Sequence, residues 1–161
     1  MFNLKTKSYL KIIFLFSFVA LISAFFIEYV LGHQPCNLCL IERIPYGLFI
    51  ILIIIIFLFK KIEKFFILLL ILTSAFSLLI SAYHFGIEQG FFEESPACGI
   101  KNFTENITKE DLLKQLNEKT VSCKDVTFKI FGFSLTSINI VISLLFIITL
   151  LKIFKKYEKN K

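Results

Sequence analysis

Four long apolar runs limit what this chain can fold into more than any other feature. They cover about residues 10–31, 40–59, 65–85 and 134–154 of the 161 residues. A helix needs about 20 mostly apolar residues to cross the roughly 30 Å hydrocarbon core of a bilayer, and each run approaches or meets that length. Hydrophobic residues make up 57% of the chain, more than a soluble domain of this size could bury. The sequence therefore predicts an all-α membrane protein whose four transmembrane helices form one bundle.

The positions of the basic residues predict the topology of this bundle. Eleven of the 18 lie within residues 5–11, 60–64 and 152–161. Lys and Arg in short flanking segments are held on the cytoplasmic side during insertion. The other connecting segments are about 32–39 and 86–131, and the longer one carries six lysines against eight acidic residues. We therefore expect both termini in the cytoplasm and two loops on the opposite side.

The first apolar run and the net charge each have an alternative explanation. Lysines precede the first run, as in a signal peptide, but the run is too long and lacks a clean small-x-small cleavage site, so a retained helix is predicted. The formal net charge of +6 comes mainly from juxtamembrane lysines that contact anionic lipid, so no nucleic-acid binding is expected. No repeat or low-complexity linker divides residues 1–161, which are predicted to form a single domain.

The second helix is expected to begin near Leu38. The apolar stretch after Arg43 has about 16 residues and would reach only about 24 Å at 1.5 Å per residue. The earlier start places Cys39 and Arg43 in the first turns, at the outer membrane boundary. In the longer loop, a capping-box pattern followed by an apolar stripe over residues 108–116 predicts a short helix on the membrane surface.

All four cysteines, Cys36, Cys39, Cys98 and Cys123, fall on the predicted outer side. An even count in an oxidising compartment suggests two disulfides, and of the three possible connectivities the pairing of near neighbours is the simplest. The C-x-x-C formed by Cys36 and Cys39 is compatible with a redox centre or a metal site. Cys98 and Cys123 enclose about 26 residues, and closing such a loop stabilises a fold by roughly 3.5 kcal/mol. A purely structural role for that pair therefore stays open.

Arg43 follows Cys39 by four residues, so the two lie on the same helix face about 6 Å apart along the axis. A cation there could stabilise a thiolate or polarise a quinone carbonyl. Alternatively, Arg43 extends to the interface or pairs with Glu42 or Glu28, as is common for an arginine at the end of a span.

His84 and Glu88 lie one helical turn apart near the outer end of the third span. They are candidates for hydrogen bonding or proton transfer to a quinone, or they form an ordinary polar helix end. A metal site would need His or carboxylate ligands beside the C-x-x-C, and nothing in the sequence shows that His33, His84 and the acidic residues converge. We therefore predict no metal.

Several segments together resemble the disulfide bond formation protein B (DsbB) family. Residues 35–43, PCNLCLIER, resemble its P-C-x-L-C-x-x-x-R signature. Residues 82–90, AYHFGIEQG, and 96–98, PAC, are similar to the end of its third helix and its first loop cysteine. The segment 123–139 resembles the last part of the family pattern. The resemblance covers about residues 30–140, with the same number of spans and the same order of cysteines.

The resemblance implies a thiol:quinone oxidoreductase in the bacterial inner membrane, with its cysteines on the periplasmic side. A reduced, DsbA-like thioredoxin-fold oxidase would attack the redox-active disulfide Cys98–Cys123, at Cys98. Cys123 would then engage Cys36 of the second redox-active disulfide, Cys36–Cys39. The freed Cys39 thiolate would contact ubiquinone or menaquinone, supported by Arg43.

Other functions remain compatible with the sequence. A DsbI-like relative dedicated to one secreted substrate would use the same four cysteines. A non-enzymatic tetraspan or metal-handling protein would use them as structural disulfides or ligands. A relay in the opposite direction is disfavoured, because the predicted cytoplasmic segments contain no cysteine.

Overall fold

The computed structural model describes residues 4–59, 62–94, 98, 122–124, 129–130 and 132–159. Within them, four helices account for nearly all of the regular structure, and a two-stranded hairpin precedes the last helix. Each helix is long and apolar enough to cross a membrane. The helices are α1 (Leu4–Tyr29), α2 (Asn37–Leu58), α3 (Glu63–Glu88) and α4 (Leu135–Lys159), and the strands are β1 (Lys129–Ile130) and β2 (Phe133–Ser134). The predicted class, an all-α membrane protein built as a four-helix bundle, is confirmed.

The helices extend beyond the apolar runs at several ends. The first begins at Leu4 and the last continues to Lys159, because hydropathy marks only the part of a helix that lies in hydrocarbon. The second begins at Asn37, one residue before the predicted start, and continues through Pro45. The predicted surface helix over 108–116 lies outside the described residues.

The short hairpin was not predicted. Lys129 pairs with Ser134 and Ile130 with Phe133 in antiparallel register, and Gly132 adopts a φ of +86° between them. Two-residue strands are too short to show the alternation by which strands are recognised. The hairpin leads directly into α4.

An apolar cluster to which all four helices contribute forms the core of one half of the bundle. Phe49 of α2 packs edge-on against Phe146 of α4, with ring centroids 5.3 Å apart. The cluster lies toward the end of the bundle where α1 and α3 begin. Its buried members are Leu10, Ile13, Phe49, Ile53, Ile56, Ile67, Leu70, Phe146, Leu150 and Ile153.

Small hydroxylated residues allow α3 and α4 to pack closely. Ser74, Ser77 and Ser81 of α3 are buried, and Ser77 and Ser143 share a hydrogen bond of 3.0 Å across the helix interface. Polar side chains at such interfaces bind each other because lipid offers no alternative partner. In contrast, α1 lies mainly against α2 and touches α4 only sparsely. This arrangement leaves space between α1 and α4.

The chain reverses direction sharply after α3. The carbonyl oxygen of Gly86 accepts hydrogen bonds from the backbone N–H groups of Phe91 and Phe92, at 2.8 and 3.2 Å. The Phe92 ring folds over the helix and stacks on Tyr83, with centroids 5.7 Å apart. A Cβ on residue 86 would lie 2.3 Å from this ring, so the close approach requires glycine there.

Candidate redox site

Cys36 occupies the N-cap position of α2, so the C-x-x-C lies at a helix N-terminus. Its Sγ accepts a hydrogen bond from the backbone N–H of Cys39 at 3.3 Å, and the two sulfur atoms lie 2.7 Å apart. The partial positive charge of a helix N-terminus stabilises an anion at this position. The expected placement of Cys39 in the first turn of the second helix is therefore confirmed.

The environment of Cys36 favours its thiolate. The hydrogen bond with the Cys39 side chain is the largest cause that lowers the pKa of Cys36, and hydrogen bonding and charge attraction from His84 lower it further. Burial of the sulfur acts in the opposite direction. The net result is a pKa of about 5, compared with an ordinary value of 9.0.

His84 connects Cys36 to a buried carboxylate. Its Nε2 lies 3.6 Å from the Cys36 Sγ, and its Nδ1 lies 2.9 Å from Oε1 of Glu42. The histidine is only 2% exposed. A sulfur, an imidazole and a carboxylate from two different helices therefore form one continuous chain of contacts.

The Glu42 carboxylate is held by further buried groups. Asn139 of α4 donates from Nδ2 to Oε2 of Glu42 at 3.1 Å and to Oγ of Ser81 at 2.7 Å. The Tyr46 hydroxyl donates to Oδ1 of Asn139 at 2.5 Å. Buried polar groups need such partners, because an unsatisfied one costs about 1–3 kcal/mol. The network joins α2, α3 and α4 around Glu42.

Glu88 approaches His84 from the side of Nε2, whereas Glu42 contacts Nδ1. The Glu88 carboxylate is incompletely paired. Thr136 donates from Oγ1 to Oε1 of Glu88 at 2.6 Å, and the same Oε1 lies 3.9 Å from Nε2 of His84. Among the described residues, no group hydrogen-bonds to the buried Oε2 of Glu88. An unpartnered carboxylate oxygen in this position is free to bind a group that enters the site.

Arg43 pairs with Glu28, which confirms one of the pairings that the sequence allows. Nη1 of Arg43 lies 2.5 Å from Oε2 of Glu28, and the guanidinium carbon lies 5.3 Å from the centre of the Phe25 ring. Both charged side chains are mostly buried. This contact links α1 to α2 one helical turn after the C-x-x-C along α2.

The two loop cysteines lie beside the C-x-x-C. Cys98 and Cys123 are 1% and 3% exposed and belong to one buried cluster with Cys36, against which Cys39 packs. The segment that carries Cys123 is held by Glu94, which accepts hydrogen bonds from the Ser122 hydroxyl and from the backbone N–H of Lys124. All four cysteines therefore meet at the end of the bundle where α2 begins and α3 ends.

A cavity of about 280 Å³ opens beside these sulfur atoms, mainly between α1, α2 and α4. Most of its wall is apolar and comes from α1 and α4, including Phe16, Ile27 and Ile142. Its polar end is formed by side chains already described. These are Cys36, Cys39, Glu42, Arg43, Tyr46, His84, Glu88, Cys123, Thr136 and Asn139.

Cys36, Cys39 and His84 also form a set of atoms that a metal could contact. Their two Sγ atoms and one imidazole nitrogen lie within 4.8 Å of one another. Zinc accepts such ligands, although structural zinc sites have four. The expectation that no metal is bound stays a prediction.

The structure brings together every residue that the sequence singled out as a site candidate. The four cysteines, His84 and Glu88 share one end of the bundle, and Arg43 lies one turn further along α2. Sequence reasoning missed Glu42 as the partner of His84, and it did not assign Asn139 a role in this network. A buried glutamate and asparagine inside apolar spans are themselves a signal, because ionisable and amide groups in membrane helices require partners.

The fold and the site together define a class: a multi-pass membrane protein in which thiol groups converge beside a cavity between helices. The family model described as disulfide bond formation protein DsbB matches residues 6–153, and the chain belongs to this family. It is therefore a membrane protein of disulfide formation.

Individual relatives agree with this assignment. Disulfide bond formation protein B of Haemophilus influenzae (strain 86-028NP) is 28% identical over 148 residues, which cover 89% of this chain and 84% of that protein. Disulfide bond formation protein B of Histophilus somni (strain 129Pt) is 27% identical over 157 residues, which cover 93% and 89%. An uncharacterized protein of Rickettsia prowazekii (strain Madrid E) is 27% identical over 147 residues, which cover 90% and 86%.

Proposed function

We propose that this protein reoxidises a periplasmic, DsbA-like dithiol oxidase and passes the two electrons to a membrane quinone. The observation that carries the proposal is the convergence of the cysteines beside a cavity within the bundle. Cys36, Cys98 and Cys123 share one buried cluster, Cys39 packs against it, and three of the four line the cavity. A structural disulfide would not need to lie against a second cysteine pair.

In the outer half of the reaction, a thiolate of the partner attacks Cys98 of a Cys98–Cys123 disulfide. The S–S bond breaks, a mixed disulfide forms, and Cys123 leaves as a thiolate. The second thiolate of the partner then attacks the mixed disulfide, so the partner leaves oxidised and Cys98 is released. Each exchange moves one electron pair between sulfur atoms and needs an accessible sulfur and a thiolate.

In the inner half, the Cys123 thiolate attacks Cys36 of a Cys36–Cys39 disulfide and releases Cys39. Cys98 then attacks Cys123, which restores the outer disulfide and leaves Cys36 and Cys39 reduced. The packing of Cys123 in one cluster with Cys36 supports a direct exchange between them. After both steps, two electrons and two protons have moved from the partner to the C-x-x-C.

The residues around the cavity fit a quinone. The apolar wall suits a ring and isoprenoid tail, while Arg43 and the unpartnered Oε2 of Glu88 offer polar contacts beside the sulfur atoms. Arg43 would donate a hydrogen bond to a carbonyl oxygen of a bound quinone, Glu88 would accept one from a hydroxyl of the reduced form, and His84 lies at the same polar end of the cavity. A bound quinone, ubiquinone or menaquinone, supplies an acceptor for the two electrons and two protons of the Cys36–Cys39 dithiol.

The energetics favour an acceptor of this kind. A DsbA-like oxidase has a reduction potential of about −120 mV, so an ordinary disulfide would not reoxidise it. Each advantage of about 30 mV contributes about 1.4 kcal/mol to a two-electron transfer. A lipid-soluble quinone can supply this advantage, and it reaches the cavity from within the membrane. This mechanism requires the cysteines on the periplasmic side of a bacterial inner membrane. We propose that all of its steps take place within one domain that spans residues 1–161.

The decisive experiment measures quinone reduction by the purified protein in detergent, with a reduced DsbA-like dithiol as donor. We expect turnover by the parent and by a Ser77→Ala control, and loss in Cys39→Ser and Cys98→Ser. The two losses differ: Cys98→Ser no longer oxidises the partner, whereas Cys39→Ser still forms a mixed disulfide with it. A folded parent that reduces neither ubiquinone nor menaquinone would contradict the proposal.

Two alternatives are separated by related measurements. A DsbI-like protein would leave a general DsbA-like dithiol reduced, and the Cys98 thiol of its Cys123→Ser variant would attack the disulfide of one oxidised, dedicated secreted protein and trap it as a mixed disulfide. A metal-handling protein is favoured only by the spacing of Cys36, Cys39 and His84. It predicts a stoichiometric metal in the protein as purified, lost on Cys36→Ser substitution.

A further inference from the structure

The arrangement of Cys36, His84 and Glu42 matches that of a nucleophile, a general base and the group that orients the base. In such triads the base contacts the nucleophile through one ring nitrogen and the orienting carboxylate through the other. Here Nε2 of His84 lies 3.6 Å from the Cys36 sulfur and Nδ1 lies 2.9 Å from Oε1 of Glu42. The sulfur and the carboxylate therefore contact different nitrogen atoms of the ring.

The partners of the ring assign its protons. Because an ionised carboxylate only accepts hydrogen bonds, the Glu42 contact requires the proton on Nδ1. In the neutral ring Nε2 then carries a lone pair, and this lone pair faces the Cys36 sulfur. The hydrogen bonds that Asn139 donates to Glu42 and Ser81 hold the carboxylate in this orientation.

We infer that His84 is the general base and acid of Cys36, and that Glu42 is the positioning residue that orients it. The proton moves from Sγ of Cys36 to Nε2 of His84 when Cys36 attacks a sulfur. It returns when Cys36 leaves as a thiolate, and no electron moves in this step. This role differs from direct contact between His84 and a quinone. It rests on the proposed thiol chemistry but requires neither a partner nor a quinone.

A role as base accounts for the fully buried histidine at this end of a membrane helix. A histidine that served only to finish a helix would face the headgroup region, whereas His84 is 2% exposed and contacts a sulfur and a carboxylate. The N-terminus of α2 stabilises the thiolate electrostatically, but it cannot accept the proton. A base adjacent to the sulfur, which His84 supplies, can accept this proton.

Several other titratable groups face this site and enter the pH dependence. Glu88 is the closest to His84, with 3.9 Å between Oε1 and Nε2. α4 contributes Thr136 and Asn139, and neither of them titrates. Among the described residues, the further titratable groups around the site are Glu28 from α1, His33 from the segment before α2, Cys39, Arg43 and Tyr46 from α2, Tyr83 from α3, and Cys98 and Cys123 from the outer segment.

The test isolates Cys36 as the only thiol in the full-length protein, with Cys39, Cys98 and Cys123 replaced by Ser. The rate of alkylation by iodoacetamide and the ultraviolet absorbance of the thiolate are then measured against pH in detergent. The absorbance does not depend on whether the reagent reaches the sulfur. In this background, His84→Gln and Glu42→Gln are compared with Ser77→Ala and Glu63→Gln. Ser77 is a buried polar residue of α3, and Glu63 is a buried glutamate of the same helix at the opposite end of the bundle.

We expect His84→Gln to move the thiolate midpoint upward by at least one pH unit, which slows alkylation below the midpoint by at least about tenfold. Glu42→Gln should move it in the same direction by less, and the two controls should leave it unchanged. An unchanged midpoint in a folded His84→Gln protein would overturn the inference. If that variant does not fold, His84→Asn and the Glu42→Gln profile decide the question. Failure here with intact quinone reduction would leave the proposed function standing, since alkylation uses neither substrate.

Discussion

Nη1 of Arg43 and Oε2 of Glu28 lie 2.5 Å apart and connect the second helix to the first at the wall of the cavity. The pair neutralises two charges that are mostly buried within the bundle, where neither has easy access to water. Because the first helix touches the fourth only sparsely, this ion pair fixes the position of the first helix at the redox end. The width of the cavity at Arg43 therefore depends on Glu28.

Replacing either member of this pair is expected to destabilise the protein. Arg43→Met and Glu28→Gln each leave a charge without its partner, and the double variant should recover about 1–3 kcal/mol relative to the sum of the single changes. Thermal unfolding in detergent measures this coupling. Arg43→Met should also raise the quinone KM more than Glu28→Gln does. Strict additivity of the two destabilisations would show that the ion pair contributes nothing.

Asn139 is expected to be the most sensitive polar residue of the fourth helix. Replacement by Leu leaves Oε2 of Glu42 and the hydroxyls of Tyr46 and Ser81 without the hydrogen bonds that they make with it. The expected cost is about 1–3 kcal/mol for each buried group that finds no new partner. Ser143→Ala, which removes a single hydrogen bond of the same helix to Ser77, should cost about 1 kcal/mol. Equal unfolding temperatures for the two variants would contradict this prediction.

The sequence was sufficient for the architecture and for most of the candidate site, for identifiable physical reasons. Length and hydropathy define membrane helices directly. In lipid, the backbone N–H and C=O groups of a spanning segment must hydrogen-bond within the protein, and a helix satisfies all of them within the segment. The C-x-x-C and Arg43 follow from local spacing along one helix. The contact between His84 and Glu42 joins residues 42 positions apart, and no periodicity reports which faces of two nearly all-apolar helices meet. The hairpin before the last helix was missed because its strands have only two residues each.

Glu88 is expected to affect quinone binding and not exchange with the dithiol partner. Its Oε1 accepts a hydrogen bond from Thr136, whereas its Oε2 has no partner among the described residues, and Glu88 is one of the residues that line the cavity. Glu88→Gln keeps the Thr136 contact and changes only the charge and the group at the second position. The quinone KM should change several-fold, while oxidation of the partner in a single turnover without added quinone should keep its rate. A matched Glu63→Gln variant should change neither value.

Cys98 is expected to react slowly until a partner binds. Its side chain is only 1% exposed, although the proposed relay begins with attack on its sulfur. Docking must therefore uncover it, and the barrier to this opening should limit the rate with small thiols. A Cys123→Ser variant should label with maleimide at Cys98 more slowly when folded than when unfolded in detergent and denaturant. Addition of an oxidised DsbA-like partner should nevertheless produce a mixed disulfide. Rapid labelling of the folded protein would show that Cys98 is open without a partner.

The thiolate of Cys36 should depend on the side chain at position 39, because the hydrogen bond with Cys39 is the largest cause that lowers the pKa of Cys36 to about 5. Cys39→Ser keeps a hydroxyl that can donate to the sulfur, whereas Cys39→Ala removes the donor. Since a lowered pKa means that the thiolate is present above that value and lost below it, the Ala variant should have the higher midpoint. At a pH below both midpoints, alkylation should slow about tenfold for each unit of this difference, and the two variants should converge at a pH above both midpoints. Identical profiles for Cys39→Ala and Cys39→Ser between pH 4 and pH 9 would assign the stabilisation to the helix N-terminus and His84 alone.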